Sequence, residues 1–269
     1  MVYNPVLSGL KVLHSGSTNK NTFKVLIAAE YCGVNVELVK NFKMGVSNKT
    51  PEFLKMNPLG KVPVLETPDG PIFESNAISR YVARLNADNP IYGTSLIEYV
   101  RFLFRMHFFS ASYASPLFQA HIEQWIDFAT TEIDLNISRW FYPRAGYSPY
   151  IPQAEEAAIS LLKSALGALN SHLASNTYLV GHGITLADII MTCNLYLGFI
   201  RLMTKSFTSE FPHVQRYFWS MVNQPNFSKV MGKVEQTPYV QPLQSQRNPQ
   251  SKPKQLKKEA KKYLVKESS

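Results

Sequence analysis

The sequence predicts an α/β unit followed by an all-α unit, and three observations carry that reading. Over the first ~80 residues, short alternating apolar runs interleave with helical periodicity in the order β-α-β-α-β-β-α. From Ala120 onward only the helical period survives. After Pro238 the composition collapses to Gln, Pro, Ser and Lys, which offers too little apolar surface to offset the entropy of ordering. The expected organisation is residues 1–88 as the α/β domain and 89–119 as a linker with an atypical segment at 100–119. Residues 120–237 form the helical domain and 238–269 a disordered, Lys-rich tail.

The elements follow in order. "LKVLHS" (Leu10 to Ser15) reads as a short strand. "KNTFKVLIAAEYCG" places Phe23, Leu26, Ile27 and Tyr31 at helical spacing, with Gly33 where a C-cap belongs. "VNVELV" alternates with period two, as a half-buried strand does. "TPEFLKMNPLG" starts a short helix with Thr50 as N-cap and Pro51 at the first helical position, and Pro58 ends it. "VPVLET" and "PIFE" are strands joined through the turn signal "PDG". "SNAISRYVARLN" closes the unit as a helix with Ser75 as its cap. In the second unit, "HIEQWIDFATTEIDLNI" aligns Ile122, Trp125, Ile126, Ala129 and Ile133 on one face. "AEEAAISLLKSALGALNSHLA" is a second long helix. "ITLADIIMTCNLYLGFIRLMT" is a third, apolar nearly all round and therefore central. Two shorter helices open at Pro212 and Pro225.

Composition narrows the function classes. The chain has 269 residues, 45% hydrophobic and 17% charged, which suits a soluble globular body. No run approaches ~18 uncharged apolar residues, so no membrane span is expected. The N-terminus lacks a basic start and an apolar middle, so a cytoplasmic location without a signal peptide is expected. The net charge is +9, but residues 241–269 hold eight Lys or Arg against two Glu, so the body carries only +3. A basic tail on a nearly neutral body argues against direct nucleic-acid binding. Cys32 and Cys193 have no nearby second ligand. They read as two buried thiols in a reducing compartment, and no metal site is expected.

The chemistry concentrates in "GKVPVLETPDGPIFESNAISRYV" (Gly60 to Val82). A proline inside a strand removes a ladder donor and belongs at an edge or bend. A cis bond before Pro63 turns the Val62 backbone outward, where it can pair with an extended peptide. Ser75 at a helix start offers a hydroxyl and free N–H groups to a carboxylate, and Glu74 can hold an ammonium. Together these residues describe a pocket for the α-amino-acid end of a small peptide. The plainer reading is structural: Pro63 shapes the turn, Ser75 caps its helix and Glu74 is solvated.

These residues and the order of elements resemble the glutathione transferase family, with a thioredoxin-like N-terminal domain and an all-helical second domain. The resemblance implies glutathione binding by Lys61, Val62, Pro63, Glu74 and Ser75. "TLADI" resembles the family's buried capping box. Thr185 would accept from the Asp188 N–H while Asp188 reaches back to the Thr185 N–H. That motif is structural.

The stretches "FKVLIAAEYCGVNVELVKNFKMGVSNKTPEFLKMNPLGKVPVLETPDGPIFESNAI", "AHIEQWIDFA", "LVGHGITLADIIMTCNLYLGF" and "MTKSFTSEFPHVQRYFWSMVNQPNF" resemble, more narrowly, the gamma subunits of eukaryotic translation elongation factor 1B of plant type. In that family a Lys- and Pro-rich linker and a further domain follow, and only the start of such a linker stands here. Val100 to Gln119 departs from the family. It holds six aromatic residues and no carboxylate, and reads as translated non-coding sequence, with a new binding loop as the alternative.

Catalysis in transferases needs a hydroxyl near the end of the first strand, which favours glutathione as thiolate. Counted back without gaps from "VLIAA", that position is Asn19, and a small gap aligns Ser15, Ser17 or Thr18 instead. The resemblance therefore implies a scaffold that anchors the nucleotide-exchange subunits of elongation factor 1B, with homodimerisation as an option. An active transferase conjugating glutathione to electrophiles is the alternative. No cofactor is expected beyond glutathione as ligand or substrate. Direct tRNA or membrane-surface contact through the tail ranks last.

Overall fold

The computed structural model describes residues 11–86, 90–93 and 116–244. Its first half is a four-stranded sheet in the order β2-β1-β3-β4, formed by β1 (Val12–His14), β2 (Glu37–Leu38), β3 (Val64–Thr67) and β4 (Gly70–Phe73). β1 pairs parallel with β2 and antiparallel with β3, and β3 forms a hairpin with β4. A parallel pair needs a crossover, and helix α1 (Lys20–Cys32) supplies it. The strands are shorter than the alternation suggests. "VNVELV" pairs only through Glu37 and Leu38, with flanking bonds from Glu37 N–H to Lys11 O (2.8 Å) and Val39 N–H to Leu13 O (3.0 Å).

Local signals place the helix ends. Gly33 ends α1 with φ 63°, the left-handed conformation that a side chain resists. Helix α2 (Pro51–Met56) opens as expected, with the Thr50 hydroxyl accepting from Phe53 N–H at 3.3 Å and Pro51 at the first position. Helix α3 (Ser75–Arg84) corrects one expectation. Ser75 is the first helical residue, and Glu74 is the cap residue. Glu74 adopts φ 71° to turn the chain out of β4, which moves Ser75 one position into the helix.

The second half opens with α4 (Pro116–Phe128) and continues without a break through a π-helical turn (Ala129–Asp134) into α5 (Leu135–Arg144). The last four residues of the atypical segment are thus helical, with Phe118 buried, while 100–115 lie outside the described residues. Then follow α6 (Pro152–Leu173), α7 (Leu186–Arg201), α8 (Lys205–Thr208), α9 (Pro212–Val222) and α10 (Pro225–Met231). Helix α7 is central as its all-round apolarity predicts: Leu186, Ile189, Ile190, Met191, Cys193 and Leu195 are fully buried. It packs on α1, and the Phe23 and Tyr196 rings meet edge-on at 5.4 Å, so the apolar core runs through both halves.

The composition places residues from 238 onward in the tail, and the structure moves that boundary. Gln241 is buried, its N–H donates to Arg201 O (2.8 Å), and Arg144 Nη1 donates to its carbonyl (2.9 Å). Backbone hydrogen bonds need no apolar side chains, so composition alone does not register this segment. Residues 245–269 lie outside the described residues.

Candidate functional site

Two helix starts and one loop follow or precede the central strands β1 and β3 and the β4 end of the hairpin. The loop from Asn57 to Pro63 is held by side chains. Asn57 Nδ2 donates to Lys61 O (2.9 Å), and the buried Asn48 donates to Gly60 O (2.7 Å). The Val62–Pro63 bond is cis, and Val62 N–H and C=O have no partner among the described residues. Lys61 and Glu74 are exposed, and Ser75 is nearly buried at the first position of α3. The Ser75 carbonyl accepts from the Ser79 hydroxyl (2.8 Å), and its own hydroxyl has no partner among the described residues. An open backbone amide can pair with an extended guest, and a helix start with free N–H groups can take a carboxylate.

The hydroxyl candidates separate. Ser15 is 1% exposed and its oxygen accepts from Thr22 Oγ1 at 2.6 Å, so it faces the domain interior. Ser17 and Thr18 are exposed in the turn before α1. Asn19 caps α1, with its side-chain oxygen accepting from Asn21 N–H at 2.9 Å. That bond occupies the oxygen and leaves only the amide N–H groups as donors.

Sequence reasoning missed the ties behind these residues. Lys20, the first residue of α1, forms an ion pair with Asp134 in the π-helical turn. Asn76, the second residue of α3, donates to Thr130 Oγ1 in the same turn (3.0 Å) and accepts from Lys24 Nζ (3.3 Å). Both helix starts of the candidate pocket are therefore tied to one wide turn of the helical domain. Such π turns recur at functional sites. Lys24 is 2% exposed. Burial first, and the Lys20 charge second, push its ammonium down to about 8. A signal for it existed: Lys24 lies three and four residues before Ile27 and Ala28, on the buried stripe of α1.

On the outer side, α3 is clamped to α4. Arg80 Nε and Nη2 reach the two Glu123 oxygens at 3.0 and 2.5 Å, and the Tyr92 hydroxyl also donates to Glu123. Burial alone would raise the Glu123 carboxyl, but the hydrogen bonds from Arg80 and Tyr92 outweigh it and hold the group below its ordinary value.

Cys32 and Cys193 are free and buried, and burial pushes both thiols up to about 12, so neither is a ready thiolate. Among the described residues no three metal-ligating side chains cluster, and no helix is long and apolar enough to cross a membrane.

The capping box lies apart from the pocket. Asp188 is fully buried, and its oxygens accept from Thr185 N–H (2.9 Å), the Thr185 hydroxyl (2.9 Å), Leu179 N–H (2.9 Å) and the Tyr217 hydroxyl (3.0 Å).

Comparison with known proteins adds to this geometry. Residues 10–84 match the family model of the glutathione S-transferase N-terminal domain, and residues 136–225 that of the C-terminal domain. Elongation factor 1-gamma 2 of Oryza sativa subsp. japonica is 67% identical over 246 residues, 91% of this chain and 54% of that protein. Elongation factor 1-gamma of Prunus avium is 65% identical, over 93% of this chain and 54% of its own length. The chain thus spans about half the length of these curated relatives. Among solved structures, the GST-like domain of elongation factor 1-gamma from Saccharomyces cerevisiae superposes with a TM-score of 0.67 at 19% identity, covering 87% of this chain and 97% of that one. Glutathione transferase URE2P6 from Phanerochaete chrysosporium, in complex with oxidized glutathione, gives 0.65 at 23% identity, covering 83% and 95%. These two structures speak to the fold.

Proposed function

Because this chain belongs to the elongation factor 1-gamma family through its glutathione transferase-like region, we propose that it is a non-catalytic scaffold that anchors the nucleotide-exchange subunits of elongation factor 1B during peptide chain elongation. The observation that carries the non-catalytic reading is Asn19. The residue at the gap-free catalytic position carries an amide, not a hydroxyl, with its oxygen capping α1, and Ser15 is buried in the domain interior. A thiolate there would have the positive end of α1 but no hydroxyl donor at that position. The cytosol is the compartment this reading requires, and self-association into a homodimer belongs to it.

A second reading, an active glutathione transferase, rests on the open Val62 amide, the free Ser75 hydroxyl and the exposed Ser17. One experiment separates the two. Glutathione binding and turnover of a chlorinated nitroaromatic are measured beside pull-down of purified exchange subunits. Capture without turnover is the expected result. Turnover that disappears in Ser17→Ala would establish the enzyme instead.

A further inference from the structure

The segment from Lys40 to Lys61 makes a rim along one side of the α/β domain. It comprises the loop after β2, a 3-10 turn (Ser47–Lys49), α2 and the loop that follows. Its exposed charges are one-sided: Lys40, Lys43, Lys49, Lys55 and Lys61 stand against Glu52 alone. Among these lysines, Met44 and Val46 are each 64% exposed and Leu59 is 63% exposed. These aliphatic side chains stand open to a partner within the same short segment as the lysines.

The rim is also held in shape. The buried Asn48 side chain accepts from Gly45 N–H (2.6 Å) and donates to Gly60 O (2.7 Å), joining its two loops, and Lys43 N–H donates to Ser47 Oγ (3.0 Å). Phe42 packs beneath it against Phe53, with ring centroids 6.0 Å apart. At Gly60, φ is 62° and an added Cβ would lie 3.0 Å from Asn48 O, so a side chain at this junction is strained. A surface held this way gives up little conformational entropy when it binds.

We propose that this rim is a docking surface for an acidic peptide segment carrying aliphatic side chains. Charge complementarity selects the acid, and Met44, Val46 and Leu59 select the aliphatic anchors. Single-stranded nucleic acid fits less well, because the rim has no arginine and no exposed aromatic platform for stacking bases. The inference goes beyond the scaffold reading, since it does not require the exchange subunits to be the source of the segment.

The test uses the full chain and a fluorescein-labelled peptide of Glu, Asp and Leu, followed by anisotropy. The comparison probes are the same peptide with Ser for Leu, phosphatidylserine vesicles and a single-stranded RNA. Saturable binding of the Leu-containing peptide is expected, weakening as salt rises. The Lys43→Glu/Lys49→Glu pair should weaken it about tenfold, and Met44→Ser/Val46→Ser roughly three- to tenfold. If either pair disturbs folding by circular dichroism, Lys40→Glu/Lys55→Glu reads the same charge from the start of the rim and from α2. Absent saturation, equal binding of the Leu-free peptide, indifference to the charge reversals, or preference for vesicles or RNA overturns the proposal. Capture of the exchange subunits is scored separately by pull-down, so its failure does not pass for failure here.

Discussion

Helix α7 carries an acidic residue in its first turn and helix α3 one at its cap, and the two are treated in opposite ways. At α7 the Asp188 carboxylate is fully buried and takes four hydrogen bonds. At α3 the Glu74 carboxylate is exposed, the Ser75 hydroxyl is unused among the described residues, and the backbone before the helix turns through φ 71°. A closed start satisfies its own donors and holds a fold together. An open start leaves donors for a guest, and its stability must come from elsewhere. Here that support comes from the clamp of Arg80 on Glu123 and the tie of Asn76 to Thr130.

The contrast can be broken at its closed end first. Asp188→Ala strands Leu179 N–H, Thr185 N–H and the Tyr217 hydroxyl in the core, and should cost about 3–5 kcal/mol by urea unfolding. Next comes the lysine behind the open end. Lys24→Met should stabilise the protein by about 1–3 kcal/mol at neutral pH, because it removes a buried charge. The sign with pH follows from the depressed folded value of about 8 against the ordinary lysine value of 10.5. The unfolded chain binds more protons between those values, so wild-type stability rises through that interval and the advantage of Lys24→Met shrinks. Parallel unfolding curves from pH 7 to 10 measure it.

At the open end itself, Ser75→Ala should leave stability within about 0.5 kcal/mol while weakening glutathione binding roughly tenfold by calorimetry. An equal loss of stability would make α3 a second closed start. The smallest effect is expected at the clamp. Glu123 is depressed in the folded state, so its contribution is complete above the unfolded carboxylate value and fades as pH falls through the folded one. The stability gap between wild type and Glu123→Gln should therefore be flat near neutrality and close below about pH 4.

What the sequence made legible was local. "TLADI" spells its own box because both partners lie within one turn, and Thr50-Pro51 and Gly33 mark helix ends for the same reason. A proline misplaced in a strand announces the bend at Pro63, and the cis bond that the pocket requires there is present. Ser75 sits one position inside the helix rather than at its cap, and no sequence pattern announces that Glu74 adopts a positive φ. The ties from Lys20 to Asp134 and from Asn76 to Thr130 join residues 114 and 54 positions apart, and periodicity does not reach across such separations.

The π-helical turn has a geometric consequence of its own. Leu135 N–H reaches back five residues to Thr130 O, so the run from Pro116 to Arg144 holds more chain than a uniform α-helix of the same advance. Deleting one residue there lets the wide turn close to ordinary α-helical geometry, so the flanking segments keep their phase, but the widened backbone that points Thr130 at Asn76 and Asp134 at Lys20 is lost. The extra residue is slack taken up in one turn: it lets one rod meet two helix starts without turning its distant face, where Glu123 holds Arg80.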